Sequence, residues 1–133
     1  FYRRCNNSRQ SLLKLMKLLL QTLLLLMAWE FAYASEKYNL VYVEQQGCFY
    51  CEIWDEEIAH IYPKTPEGQF APLIRLDIEN YETKMDYVEP VVFTPTFILT
   101  KNSSEISRVE GYIGDDLFWG MLEVMLKRET NYK

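Results

Sequence analysis

Leu40-Val41-Tyr42-Val43-Glu44-Gln45-Gln46-Gly47-Cys48-Phe49-Tyr50-Cys51 is the stretch on which the fold turns. Its first four residues are β-branched, aromatic or aliphatic, the composition of a buried strand. Gln45-Gln46-Gly47 breaks that strand. From Cys48 onward, Ile53, Trp54, Ile58 and Ile61 recur at helical spacing. The two cysteines therefore fall where a strand passes into a helix. A helix N-terminus offers unpaired N–H groups and a partial positive charge. Both stabilise a thiolate, so the Cys48 thiol is expected to ionise more readily and act as a nucleophile. Two intervening residues bring Cys51 within bonding distance after one turn. Cys51, deeper in the helix, is the natural resolving thiol, displacing a partner from a mixed disulfide on Cys48.

Outward from this stretch, Pro63, Pro66 and Gly68 mark a loop. Residues 73–78 read as a second strand. Residues 80–89 are polar and read as a helix, with Tyr81, Met85 and Val88 on one face and Pro90 ending it. Residues 97–99 and 106–109 read as two further strands, joined into a hairpin by the turn cluster 101–104. Residues 115–128 read as an amphipathic helix with Leu117, Phe118, Met121, Leu122 and Met125 inward. Asp115 and Asp116 open that helix and Lys127 and Arg128 close it, as the helix dipole favours. Residues 129–133 are expected to fray. The order β-α-β-α-β-β-α predicts an α/β fold, a mixed four-stranded sheet flanked by helices. The first crossover implies a parallel pairing of the first two strands.

Thr94-Pro95-Thr96 precedes the third strand. A proline there is either edge punctuation or a cis proline that the surrounding structure enforces. Opposite the cysteines, a cis proline would hold the backbone of Thr94 out toward an incoming peptide strand.

The charge divides the chain. Residues 1–34 hold Arg3, Arg4, Arg9, Lys14 and Lys17 against Glu30 alone, and residues 35–133 hold 9 basic and 18 acidic residues. A basic start, the apolar run 18–29 and Ala32-Tyr33-Ala34 form the pattern of a secretory signal peptide cleaved after Ala34. A run of that length falls short of the roughly 20 residues of a membrane span. The expected organisation is an N-terminal extension and signal peptide over 1–34 and one domain over 35–133. With 49% hydrophobic and 25% charged residues in 133, the composition is that of a globular protein. The net charge of −5, without a basic stripe, argues against nucleic acid. The lone histidine, His60, excludes His-rich metal sites.

Alternatives remain for the cysteine pair. A zinc site wants four ligands and finds only His60 as a third soft one. A structural disulfide across so short a loop constrains the unfolded chain little. A Cu(I) carrier would use both thiolates but lacks a Met-rich loop. No metal and no cofactor is expected.

The first strand, Cys48-Phe49-Tyr50-Cys51, Thr94-Pro95-Thr96 and the final helix together resemble the thioredoxin superfamily over residues 38–128. Within it, Glu44 to Cys48, Trp54, Ile61 to Thr65, Glu110-Gly111-Tyr112 and Phe118-Trp119-Gly120 are similar to periplasmic SoxS-type thioredoxins of bacterial sulfur oxidation. The resemblance implies a periplasmic thiol-disulfide oxidoreductase that keeps a partner protein's cysteine reduced. That partner would be the carrier protein of thiosulfate oxidation, with a membrane protein as electron donor. It implies Cys48 and Cys51 as catalytic residues and Thr94 and Pro95 as substrate-binding ones. A thiol oxidase or isomerase of DsbA type, or a peptide-binding module with a structural disulfide, is the alternative. Two departures stand out. Phe49 occupies a position where the group usually has proline, and Tyr42 falls where thioredoxins carry a buried aspartate. Glu44 is then the nearest carboxylate for proton transfer to Cys51.

Overall fold

The structure, a computed structural model, describes residues 11–23 and 36–133. The chain divides into two units, Phe1–Ser35 and Glu36–Lys133. In the first, residues 11–23 form a helix, α1. The second half of the 18–29 apolar run and the expected cleavage position after Ala34 lie outside the described residues. Among the described residues no helix is long and apolar enough to cross a membrane.

The second unit is built around strand β1 (Tyr38–Glu44), which is buried along nearly its whole length. Its place in the sheet explains the unbroken apolar run. The order is β2-β1-β3-β4, so β1 has a neighbour on each side and a packed layer on each face. Strand β2 (Leu73–Asp77) runs parallel to it, with Tyr42 opposite Arg75. Strand β3 (Thr96–Lys101) runs antiparallel to it, with Val43 opposite Thr96. Strand β4 (Ser104–Glu110) completes the expected hairpin with β3.

Alternation along β1 sorts its side chains into two cores. Leu40 and Tyr42 join Trp54, Ile58, Phe97 and Leu122 on one face, and Val41 and Val43 join Tyr81, Val91 and Ile98 on the other. The first core is aromatic at its centre. Ring centroids lie 4.5 Å apart for Tyr42 and Trp54, 5.3 Å for Trp54 and Phe97, and 5.0 Å for Phe97 and Phe118. Fully burying side chains of this size stabilises by roughly 1.5–3 kcal/mol each.

The first core is covered by helices α2 (Phe49–Trp54), which runs into a π-helical turn over Asp55–Ala59, and α4 (Asp115–Glu129). Helix α4 buries Phe118, Leu122, Met125 and Leu126. This corrects the expected inward face. Leu117 and Met121 are exposed, because the spacing 118, 122, 125 sets the stripe and brings Leu126 inward instead.

Three further expectations change. The Pro63-to-Gly68 stretch is not a plain loop. A 3₁₀ turn at Tyr62–Lys64 leads into a short helix α3 (Pro66–Phe70). Thr65 caps α3, its hydroxyl accepting the Gly68 N–H at 3.0 Å, with Pro66 at the first helical position. The helix expected over 80–89 is absent; only a 3₁₀ turn at Tyr81–Thr83 forms there. Its backbone groups bond elsewhere. The Asp86 N–H donates to the Ser103 carbonyl at 3.1 Å, and the Asp86 carbonyl accepts the Glu105 N–H at 2.8 Å. Tyr81 and Met85 are buried as expected, but Val88 is exposed. The C-terminal tail is held rather than frayed. The Tyr132 ring packs on Phe70 at 5.1 Å, and its hydroxyl donates to Glu67 at 2.9 Å.

Candidate active site

The turn from β1 into α2 is set by Gln45 and Gly47. The Cys48 N–H donates to the Gln45 carbonyl at 3.2 Å, closing a tight turn. Gly47 takes a φ of +75°, a conformation that glycine adopts without steric cost. Cys48 is the N-cap of α2. Its sulfur accepts the Cys51 N–H at 3.2 Å, and its carbonyl accepts the Glu52 N–H at 3.1 Å. The sulfur thus occupies the place of an N-capping oxygen, with a helix N–H pointed at it. Cys48 and Cys51 are joined in a disulfide. Cys48 is half-buried, and Cys51 is only 4% exposed.

The floor beneath Cys51 is Tyr42. Its ring is fully buried against Trp54 and Phe97, and its hydroxyl donates to the Cys51 carbonyl at 3.3 Å. Burial first, and then the charges of Asp55 and Glu44, push the phenol well above its ordinary range. It stays protonated at physiological pH and acts there as a fixed donor.

Arg75 closes this side of the site. Its guanidinium lies 4.9 Å from the centre of the Tyr42 ring. It pairs with Glu44 at 2.5 Å and with Asp55 at 2.7 Å, so it ties the end of β1 to the π-helical turn after α2. Glu44 is thereby placed as one arm of an ion-pair pair rather than as a solitary carboxylate. In the π-helical turn after α2, Asp55 is held by Arg75, and Glu57 accepts the Tyr112 hydroxyl at 2.5 Å. His60 is exposed, and Trp54 and Tyr112 belong to the core.

Thr94-Pro95 is a cis peptide bond. Pro95 is buried and Thr94 half-buried. The Pro95 carbonyl accepts the Gly111 N–H at 2.7 Å, which ties the β4–α4 loop to the proline. Thr96 lies opposite Val43 near the end of β1, so residues 92–95 leave the sheet at the same end as residues 45–51. The turn 45–48 with the first turn of α2, and the loops 92–95 and 111–114, therefore lie at one end of the sheet.

Sequence reasoning missed Arg75, the hydroxyl of Tyr42 and the pair Glu105–Arg108. Arg75 had one signal, a lone cation inside an otherwise apolar strand. The Tyr42 hydroxyl, which reaches from β1 to α2, and the Glu105–Arg108 pair, three residues apart on β4, had none. Among the described residues no group of acidic residues, histidines and cysteines is arranged to hold a metal ion. A hollow of about 400 Å³ between Val109, Leu117, Met121 and Arg128 includes neither the cysteines nor the proline.

A mixed sheet, a cysteine pair at its strand-to-helix junction and a cis proline at the same end define a thiol-disulfide protein of thioredoxin fold. The chain resembles the crystal structure of the periplasmic thioredoxin SoxS from Paracoccus pantotrophus in its reduced form. Identity is 44%, with a TM-score of 0.64, over 67% of this chain and 95% of that one. The chain belongs to the thioredoxin superfamily, and its fold is SoxS-like. A Malassezia sympodialis thioredoxin, Mala s 13, is 20% identical at a TM-score of 0.47, over 65% of this chain and 74% of that one. Thioredoxin-2 of the malaria parasite is 16% identical at a TM-score of 0.47, over 67% of this chain and 84% of its own. No protein-family model and no curated protein matches the chain. In general terms the chain is a thiol-disulfide oxidoreductase.

Proposed function

We propose that the chain is an exported dithiol reductant that returns a partner protein's cysteine to the thiol form, as a SoxS-type thioredoxin would. The observation that carries this reading is the asymmetry of the cysteine pair. Cys48 is half-buried at a helix N-cap with an N–H on its sulfur, and Cys51 is buried one turn further in. The 44% identity to a periplasmic SoxS supports the setting, with the carrier protein of thiosulfate oxidation as the partner and a membrane protein as the electron donor.

The chemistry balances as follows. The Cys48 thiolate attacks one sulfur of the partner's disulfide and forms a mixed disulfide, releasing the other sulfur as a thiolate. Cys51 then attacks the Cys48 sulfur and the partner leaves as its thiol. Two electrons pass from the dithiol to the partner. The Cys51 proton passes through Glu44 to solvent or to the departing sulfur. Thr94, next to Pro95, receives the partner's backbone as an added strand. Residues 1–34 are the extension and signal peptide, and residues 35–133 are the mature periplasmic domain.

The test is substitution of each cysteine in the presence of a protein disulfide. Cys48→Ser is expected to abolish turnover. Cys51→Ser is expected to accumulate a mixed disulfide located on Cys48 by peptide mapping. An adduct on neither cysteine, with turnover kept in Cys48→Ser, would overturn the reading.

A further inference from the structure

The segment before the cis proline is fastened at every turn yet turns two apolar side chains outward. The Val88 N–H donates to Glu105 at 2.7 Å. Arg108, paired with that same Glu105, donates to the Glu89 carbonyl at 2.6 Å. The buried Val91 donates its N–H to the Tyr81 hydroxyl at 2.7 Å, and the Thr96 hydroxyl donates to the Phe93 carbonyl at 2.7 Å. Between these anchors Val92 is 70% exposed and Phe93 is 62% exposed. Apolar side chains displayed by a fixed backbone lose little further freedom on contact, which is what a binding surface requires. Phe49 and Tyr50 in the first turn of α2 and Ile113 in the β4–α4 loop, at this same end of the sheet, are exposed as well.

The surrounding charge is negative in balance, since the two arginines there, Arg75 and Arg108, are each paired with two carboxylates. Residues 45–56, 88–95 and 110–116 include Glu52, Glu56, Glu89, Asp115 and Asp116 and contain no lysine or arginine. A partner that carried acidic residues there would be repelled, and a basic one would be drawn in.

We propose that Val92 and Phe93, presented by the Glu105–Arg108 strap, select partner segments with apolar residues beside the half-cystine and lysine or arginine further out. This rests on the dithiol reading of Cys48 and Cys51 and names the partner class for that site.

The experiment uses the full chain, reduced beforehand, and follows its oxidation in a single turnover. One probe is a peptide–glutathione mixed disulfide with Leu and Phe flanking the cysteine and Lys at the ends. The second has Ser and Glu at those positions, and the third is hydroxyethyl disulfide. The Cys48 thiolate attacks the peptide sulfur and releases glutathione; Cys51 then displaces the peptide as its thiol. The protein dithiol is the reductant and ends as the disulfide. The apolar-basic peptide is expected to react faster than the polar-acidic one by about tenfold or more, and added salt is expected to narrow the gap. Val92→Ser with Phe93→Ser is expected to reduce that ratio severalfold. Equal rates on the two peptides, with hydroxyethyl disulfide still reduced, would overturn the selection while leaving the dithiol reading in place. No reaction with hydroxyethyl disulfide would overturn both.

Discussion

Tyr42 shows how one residue changes the chemistry that a fold offers. Where thioredoxins place a buried carboxylate beneath the second cysteine, this chain has a phenol whose proton is held by burial. The hydroxyl fixes the Cys51 carbonyl, which also accepts the Asp55 N–H within the helix. Tyr42→Phe therefore leaves no orphaned acceptor, and the expected loss is about 0.5–1.5 kcal/mol by urea denaturation. A loss above about 3 kcal/mol would mean that the hydroxyl carries more of the site than a single neutral hydrogen bond. If Glu44 takes the Cys51 proton, Glu44→Gln should lengthen the lifetime of the mixed disulfide on Cys48 by about tenfold or more, within the range of general-base effects. An unchanged lifetime in rapid-quench mapping would remove Glu44 from the proton path. The cysteine pair itself was legible from sequence, because a strand, a glycine and a Cys-x-x-Cys opening a helix are local signals. The partners of Glu44 and Asp55 were not, because Arg75 lies on another strand and reaches them only through the β1–β2 register.

At the scale of elements, the strap and the short helix are where packing decides. Burial raises the Glu105 carboxyl, but the hydrogen bonds from Arg108 and the Val88 N–H outweigh it and hold it below the usual carboxylate range. A group whose folded-state value is lowered stabilises the fold above its unfolded value, about 4.3, and that contribution is lost as pH falls through the lower folded value. Urea midpoints measured between pH 6 and 3 should fall more steeply for the wild type than for Glu105→Gln. Parallel curves would show that Glu105 is not coupled to folding. In α3, a Cβ on Gly68 would lie 1.8 Å from the Tyr62 carbonyl oxygen, so this glycine is required for close approach. Gly68→Ala should cost about 1–3 kcal/mol, read by thermal unfolding. Sequence punctuation marked 63–68 as loop for the same reason that it is special, since proline and glycine serve a capped helix start and a tight contact equally well. The helix expected over 80–89 failed differently. Its periodic residues Tyr81 and Met85 do face the core, but the Asp86 backbone bonds to the β3–β4 turn and takes the place of a helical ladder.

At the scale of the molecule, the parallel β1–β2 pairing and the β3–β4 hairpin were readable from sequence, whereas the antiparallel β1–β3 pairing that sets the order β2-β1-β3-β4 was not. The unbroken apolar run of β1 marked it as a buried strand, and the structure places it between β2 and β3. What sequence did not reveal is how three segments distant in the chain assemble at one end of the sheet around the disulfide. That assembly runs through the Pro95 carbonyl, the Gly111 N–H and the Arg75 pairs, contacts with no local pattern. The Glu36–Lys133 unit contains both cores and all of these contacts. A chain beginning at Ser35 is therefore expected to unfold in one cooperative transition with the same midpoint as the corresponding transition of the full chain. A midpoint lower by several degrees would show that the N-terminal unit contributes to the fold. The central claim is that Cys48 and Cys51 form a reversible couple poised to reduce a partner. The most direct measurement is the reduction potential of that couple by equilibration with glutathione. The account predicts about −200 to −270 mV, the span of glutaredoxins and thioredoxin. A value near about −120 mV, that of the oxidant DsbA, or a disulfide that glutathione does not open, would contradict it.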